Sequence, residues 1–378
     1  MTWRVLVARL DSDGDVLLAG PAVRAVAAVA DEVVLLVGPR GRQAADLLPG
    51  VDRVIAWRAP WIDPEPDPVD PGDVAGLVAG IRDAAPTEAL LLTSHHQSPL
   101  PLALLLRLAG VPRVSAISED YPGSLLDVRH RVVGDPPEAE RNLSLAAAAG
   151  FPPPPGDDGL LRVRTPLPVV THLAGPGPYV VLHPGASVPA RAASPRRCAE
   201  AAAVLAAAGH RVLVTGGPAE RALTARVTAA ARADLAVRVA GPVRRLSAAA
   251  SAGIAAPVAD LVTDLGGRTT LAELAAVLAG ADAVVVGNTG PAHLAAAVGT
   301  PVVSLFAPVV PAARWAPYGV PHVLLGDQRA ACRDTRARDC PAPGHPCLDG
   351  VTATDVLDAV ESLTAVDPRG LADRGVRP

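Results

Sequence analysis

Residues 4–37, RVLVARLDSDGDVLLAGPAVRAVAAVADEVVLLV, decide the fold. Residues 5–10 are a short apolar run closed by a polar turn, an Ala/Val/Leu pattern at helical spacing continues to residue 30, and residues 32–37 form a second apolar run. Strand, helix, strand in that order predicts a parallel sheet. The alternation resumes after a Pro/Asp loop at 60–71, with a strand at 89–93, a helix at 101–109 and a strand at 114–117. A charged helix over 137–149 precedes Phe151-Pro-Pro-Pro-Pro-Gly-Asp-Asp, the strongest break in the chain. We therefore expect an N-terminal domain over 1–150, a linker over 151–178, a second domain over 179–350, and a C-terminal helix and tail over 351–378. In the second domain, 179–183, 211–215, 283–287 and 302–306 are expected to be buried parallel strands separated by Ala-rich helices. The last helix, 352–365, suits either domain. Two Rossmann-like α/β halves place a cleft between the carboxyl ends of two sheets, so function is expected at strand ends.

The composition agrees. With 378 residues, half of them hydrophobic and only 2% aromatic, the cores should be layers of Ala, Val and Leu at close spacing. There is no lysine, so all 34 basic residues are arginines. A lysine Schiff base and a Walker-type phosphate loop are thereby excluded. The arginine-rich, asparagine-poor usage is attributed to a GC-rich genome. A net charge of -4 gives no field for nucleic acid. The acidic start after a short apolar run does not suit a signal peptide, and the uncharged stretch 294–313 is broken by Pro301, Pro308 and Pro311, so a cytoplasmic protein is expected.

Four strings carry chemistry. The first is Arg9-Leu-Asp11-Ser-Asp13-Gly-Asp15, whose three closely spaced carboxylates repel one another, so at least one should have a special role or a raised pKa. A calcium loop fails here, because Val16 and Ala22 stand where Gly and an acid are required. An aspartyl-phosphate phosphatase would use Asp11 as nucleophile and Asp13 as acid/base, but the later Gly287-Asn-Thr-Gly-Pro is no acidic metal pair. A solvated acidic turn capping the next helix is the plain alternative.

The second string, His183-Pro-Gly-Ala-Ser187-Val-Pro-Ala-Arg191, offers backbone donors, a hydroxyl and a guanidinium to a phosphate. The third, Thr215-Gly216-Gly-Pro-Ala-Glu220, opens a helix with a carboxylate in its first turn. The fourth, Asn288-Thr289-Gly290-Pro-Ala-His293, ends a strand and points a helix N-terminus at the strand ends. His293 would donate to an anion there, or else simply pack in the core.

Taken in order, these strings resemble glycosyltransferase family 9, the ADP-heptose:lipopolysaccharide heptosyltransferases, which adopt the GT-B fold. Ser12-Asp-Gly-Asp15, the His-Pro-Gly-Ala run, Thr215 to Glu220, Leu271-Ala-Glu-Leu274, Asn288 to His293 and Arg314-Trp-Ala-Pro-Tyr-Gly319 match family strings over nearly the whole chain. The resemblance implies metal-independent, inverting transfer of a heptose-like sugar from an ADP-heptose-like donor to a glycan or glycolipid such as lipopolysaccharide core. Asp15 would be the general base. Ser187, Arg191, Gly216, Glu220, Asn288, Thr289, Gly290 and His293 would bind the donor. No cofactor is implied.

Two positions depart from the family pattern. Arg191 replaces a lysine, which keeps the charge, and Asn288 replaces an aspartate, which removes one. Val188 and Ala193 stand where the family often has Trp. On the acceptor side we expect Asp13, Ser98 and Arg129. A catalytically degenerate nucleotide-sugar-binding protein is a further alternative. We expect a monomer with peripheral contact at the cytoplasmic membrane face. Cys332, Cys340 and Cys347 lack the short Cys-x-x-Cys pair of a zinc site, so free thiols or one facultative disulfide are expected.

Overall fold

The computed structural model describes residues 2–63, 65–240 and 261–365, so the tail expected beyond residue 365 lies outside the described residues. It contains two compact units, Met1–Thr165 and Pro166–Pro378.

In the first unit, β1 (Arg4–Arg9), β2 (Glu32–Val37), β3 (Arg53–Ala56), β4 (Glu88–Leu91), β5 (Arg113–Ile117) and β6 (Val128–His130) form one sheet in the order β3-β2-β1-β4-β5-β6. Every pairing is parallel. Val5, Leu6 and Val7 are fully buried, which is why β1 is apolar on both faces rather than alternating. Successive strands turn back between β1 and β4, and in such sheets ligands bind outside the carboxyl ends at that reversal. The single helix expected to run to residue 30 is instead two, Asp13–Leu18 and Gly20–Ala27, with Pro21 opening the second. Proline has no N–H for the preceding turn, so the helix restarts there.

The second unit repeats the plan. β7 (Val180–His183), β8 (Val212–Val214), β9 (Val262–Asp264), β10 (Ala283–Gly287), β11 (Val302–Leu305) and β12 (His322–Leu325) lie in the order β12-β11-β10-β7-β8-β9, all parallel. The reversal falls between β7 and β10. Small side chains set the layer spacing as expected. Ala199, Ala202, Ala203 and Ala206, on the helix Pro195–Ala207, are all buried in the core of this unit. The last helix, Ala353–Thr364, buries Val356, Ala359 and Val360 in the same core.

The apolar runs mark all eight inner strands. Among the described residues, the four they do not mark, β3, β6, β9 and β12, lie at the edges of the two sheets. These have three or four residues each and are mostly half-exposed, so no continuous apolar run announces them.

Residues expected to start the linker pack on the first unit. Phe151, Leu161 and Val163 are buried, and Arg24 grips Asp157 with two hydrogen bonds of 2.7 and 2.8 Å while Nη2 also donates to the Leu160 carbonyl. Hydrogen bonds from Arg24 hold the Asp157 carboxyl at about 2, below the usual aspartate value near 4. A depressed carboxyl stabilises the fold above its unfolded value and loses that contribution as the pH falls through its folded value. The linked contribution is about 2 kcal/mol. Asp157→Asn is therefore expected to lower the melting temperature at pH 6 and to flatten its dependence on pH between 4 and 2. Thermal unfolding across that range checks it, and an unchanged slope would refute the assignment.

Candidate functional site

At the carboxyl end of β1, the guanidinium of Arg9 is wholly buried beneath the acidic turn. Its Nη2 donates to Asp15 Oδ1 at 2.9 Å and to Ser94 Oγ at 2.8 Å, and its Nε lies 3.0 Å from Asp11 Oδ2. Glu138 Oε2 stands 3.6 Å from Nη1. Burial works against this charge, but Asp11, Asp15 and Glu138 together outweigh it and hold Arg9 firmly protonated. This cation meets the repulsion expected between Asp11 and Asp15.

Each aspartate has its own setting. Asp15 Oδ2 accepts from the Ser12 hydroxyl at 2.9 Å. Asp11 Oδ1 accepts from Gln97 Nε2 at 2.6 Å, and burial pushes the Asp11 carboxyl up to about 6 against the pull of Arg9. Asp13 turns away to accept from the Ala44 N–H at 3.0 Å, and burial raises its pKa as well. Ser94 and Gln97 follow β4, so this cluster occupies the reversal point of the first sheet.

The donor strings meet at the reversal point of the second sheet. His183 ends β7 and its Nδ1 lies 3.0 Å from Thr215 Oγ1, next to the end of β8. Burial keeps this ring below the usual imidazole range, although Glu220 opposes that. Glu220 Oε2 accepts from the Gly217 N–H at 2.7 Å and lies 3.5 Å from His183 Nε2. A Cβ on Gly185 would stand 1.8 Å from Glu220 Oε1, so a larger residue there would push the Glu220 carboxylate out of its place against the Gly217 N–H. A Cβ on Gly216 would meet Thr224 at 2.7 Å.

Ser187 is exposed, and the following turn Pro189–Arg191 carries Arg191. The Arg191 carbonyl lies 2.9 Å from where a Cβ on Gly287 would be, so this turn rests against the last residue of β10. Thr289 is the N-cap of the helix Gly290–Ala297, with Pro291 in its first turn and His293 buried. The Arg191 turn thus lies beside the strand that leads into this helix. A turn that carries a cation and a helix N-terminus at one strand end are the kind of groups that bind a diphosphate.

Asn288 does something a carboxylate cannot. Its Nδ2 donates to the Ala307 carbonyl and its Oδ1 accepts from the Ala307 N–H, both at 3.4 Å. The amide copies a strand neighbour and ties the end of β10 to the end of β11.

The acceptor-side residues are partly occupied with structure. Arg129 donates to the carbonyls of Ser118 and Glu119, and Ser98 Oγ donates to Asp120 Oδ2 at 3.1 Å, so both brace the loop after β5. Glu273, in the Leu271-Ala-Glu-Leu274 string, bonds back to Thr270 and caps its helix. Cys198, Cys332, Cys340 and Cys347 are free thiols, and burial pushes Cys198 and Cys347 up to about 12. A cavity of about 710 Å³, lined by Arg196, Glu200, Arg226 and Asp234 among others, contains none of the site residues. Sequence reasoning quoted Arg9 without a role and missed Glu138 and Arg141. A charge closing an apolar strand run is the signal that would have found Arg9.

Residues 236–344 match the family model for glycosyltransferase family 9 (heptosyltransferase). The resemblance to that family holds. The matched segment takes in Asn288 to His293 and Arg314 to Gly319, and it indicates a glycosyltransferase. No curated protein matches the chain.

Among solved structures, the chain is 20% identical to the E. coli ADP-heptose lipopolysaccharide heptosyltransferase II, with a TM-score of 0.67 over 96% of this chain and 98% of that one. A family 9 glycosyl transferase from Veillonella parvula gives 15% identity and a TM-score of 0.71 over 96% and 97%. The E. coli heptosyltransferase WaaC with ADP-2-deoxy-2-fluoro heptose gives 22% and 0.62 over 95% and 99%. The shared fold is GT-B, two α/β units with parallel six-stranded sheets.

Replacing the buried Asn288 by aspartate sets a carboxylate against the Ala307 carbonyl. Asn288→Asp is expected to destabilise the protein by about 1–3 kcal/mol. Chemical denaturation measures this, and stability equal to wild type would show that the amide pair does not hold the β10 end.

Proposed function

We propose that the chain is an inverting glycosyltransferase that moves a heptose-like sugar from an ADP-linked donor to a hydroxyl of a glycan or glycolipid, such as lipopolysaccharide core, without a metal. The observation that carries this reading is the placement of Asp15 at the reversal point of one sheet and of Arg191 with the Gly290–Ala297 N-terminus at that of the other. A carboxylate held by Arg9 and Ser12 has a fixed direction, as a general base requires. Asp15 takes the proton of the acceptor hydroxyl as its oxygen bonds to the anomeric carbon. The bond from that carbon to the diphosphate breaks, and its electron pair leaves on the phosphate oxygen.

Arg191, Ser187 and the helix N-terminus at Thr289 and Gly290 meet the charge growing on that oxygen. Glu220 and Gly216 border the place for the nucleoside. ADP complexes of the E. coli enzyme WaaC, which share this fold, favour an adenine nucleotide here. No helix among the described residues is long and apolar enough to cross a membrane, which agrees with an enzyme that acts from the cytoplasm and meets its acceptor at the membrane face.

The phosphatase alternative is not favoured. Asp11, its nucleophile, lies against Arg9 and Gln97, and Asp13, its acid/base, is bonded to the Ala44 N–H. A degenerate binding protein would bind an ADP-sugar without turnover.

A panel of ADP-, GDP- and UDP-sugars separates these outcomes. The ADP-sugar is expected to bind and to be turned over when EDTA is present. Asp15→Ala should lower the transfer rate by about 10²–10⁴ with ADP binding kept. Arg191→Ala should weaken ADP binding by about tenfold or more, as the loss of a charge-assisted contact. Wild-type transfer by Asp15→Ala, or binding of no nucleotide sugar, would sink the proposal.

A further inference from the structure

Arg9 serves three carboxylates at once. Asp11 meets Nε at 3.0 Å, Asp15 meets Nη2 at 2.9 Å, and Glu138 faces Nη1 at 3.6 Å. Glu138 is completely buried at the start of the helix Glu138–Ala149, and its Oε2 lies 3.7 Å from Arg141 Nη1. Arg141 in turn donates to the Thr93 carbonyl, in the loop after β4. Glu138 thus lies between Arg9 and an arginine that ties this helix to that loop.

A guanidinium with a single carboxylate partner stabilises the ionised form of that partner and makes it a weak base. With two further carboxylates at the same guanidinium, their negative charge offsets part of its pull on Asp15. We propose that Glu138 and Asp11 are positioning residues that divide the charge of Arg9 and so keep Asp15 basic enough to take the acceptor proton. This rests on Asp15 being the base. The charged and titratable groups around this cluster are Arg9 from β1, Asp11 and Asp13 from the turn, Arg40, Arg58 and Asp63 beside that turn, Glu138, Glu140 and Arg141 from the helix, and His95 and His96 beside Ser94. Asp11 and Glu138 are the two that share the Arg9 guanidinium with Asp15.

The test is the pH profile of kcat for the full chain with an ADP-sugar, comparing wild type, Glu138→Gln and Asp11→Asn. Removing the Glu138 charge, or that part of the Asp11 charge present near and above its raised value of about 6, leaves Asp15 facing more net positive charge. The acid limb is then expected to move down by about half to one pH unit, roughly a three- to tenfold change in the protonation ratio, and plateau kcat to fall by less than in Asp15→Ala. A merely structural role would lower melting temperature or activity and leave the limb in place. Asp11→Asn keeps an acceptor for Gln97, so it serves if Glu138→Gln does not fold.

An acid limb that stays put or rises in the folded variants overturns the proposal. Asp15→Asn in the same assay separates the two claims. If it keeps activity and limb, the base assignment fails and this proposal with it. If it abolishes transfer while the other two variants leave the limb unmoved, only the division of charge fails.

Discussion

A positive charge without solvent is the constraint around which the first unit is arranged. Moving a guanidinium from water into a protein interior costs several kcal/mol unless carboxylates meet it at close range. Arg9 has no exposed surface, so the turn that follows it must be acidic and must fold back over the strand end. The cation also reaches beyond its own turn, to Ser94 after β4 and to Glu138 on a later helix. One side chain thus joins three segments distant in sequence and fixes the direction in which Asp15 points.

How much of this was legible in the sequence follows from burial. Inner strands are covered on both faces, and their apolar runs stand out. The edges β3, β6, β9 and β12 have too little buried surface to carry that mark. The site divides in a similar way. Strings that form turns, such as those around Gly185 and Gly216, are read locally because their glycines answer to contacts nearby. The Arg9, Glu138 and Arg141 network joins residues more than a hundred positions apart, and no local spacing announces it.

Asn288 shows why a family pattern and a structure must be compared residue by residue. Read from the sequence alone, this position is only a lost negative charge. In the fold, the amide has a use within the sheet, donating to and accepting from Ala307. The amide serves two strand ends, beside the Arg191 turn and the N-terminus of the helix Gly290–Ala297.

The short edges have a consequence for how the protein behaves in a crowded solution. An unpaired strand is a template on which another chain can add, and the hazard grows with its length and flatness. Three or four residues offer few free backbone groups, and β3, β6 and β12 also carry Arg53, Arg129 and His322. In a chain that is half hydrophobic, the short outer strands among the described residues leave few free backbone groups on which another sheet could add.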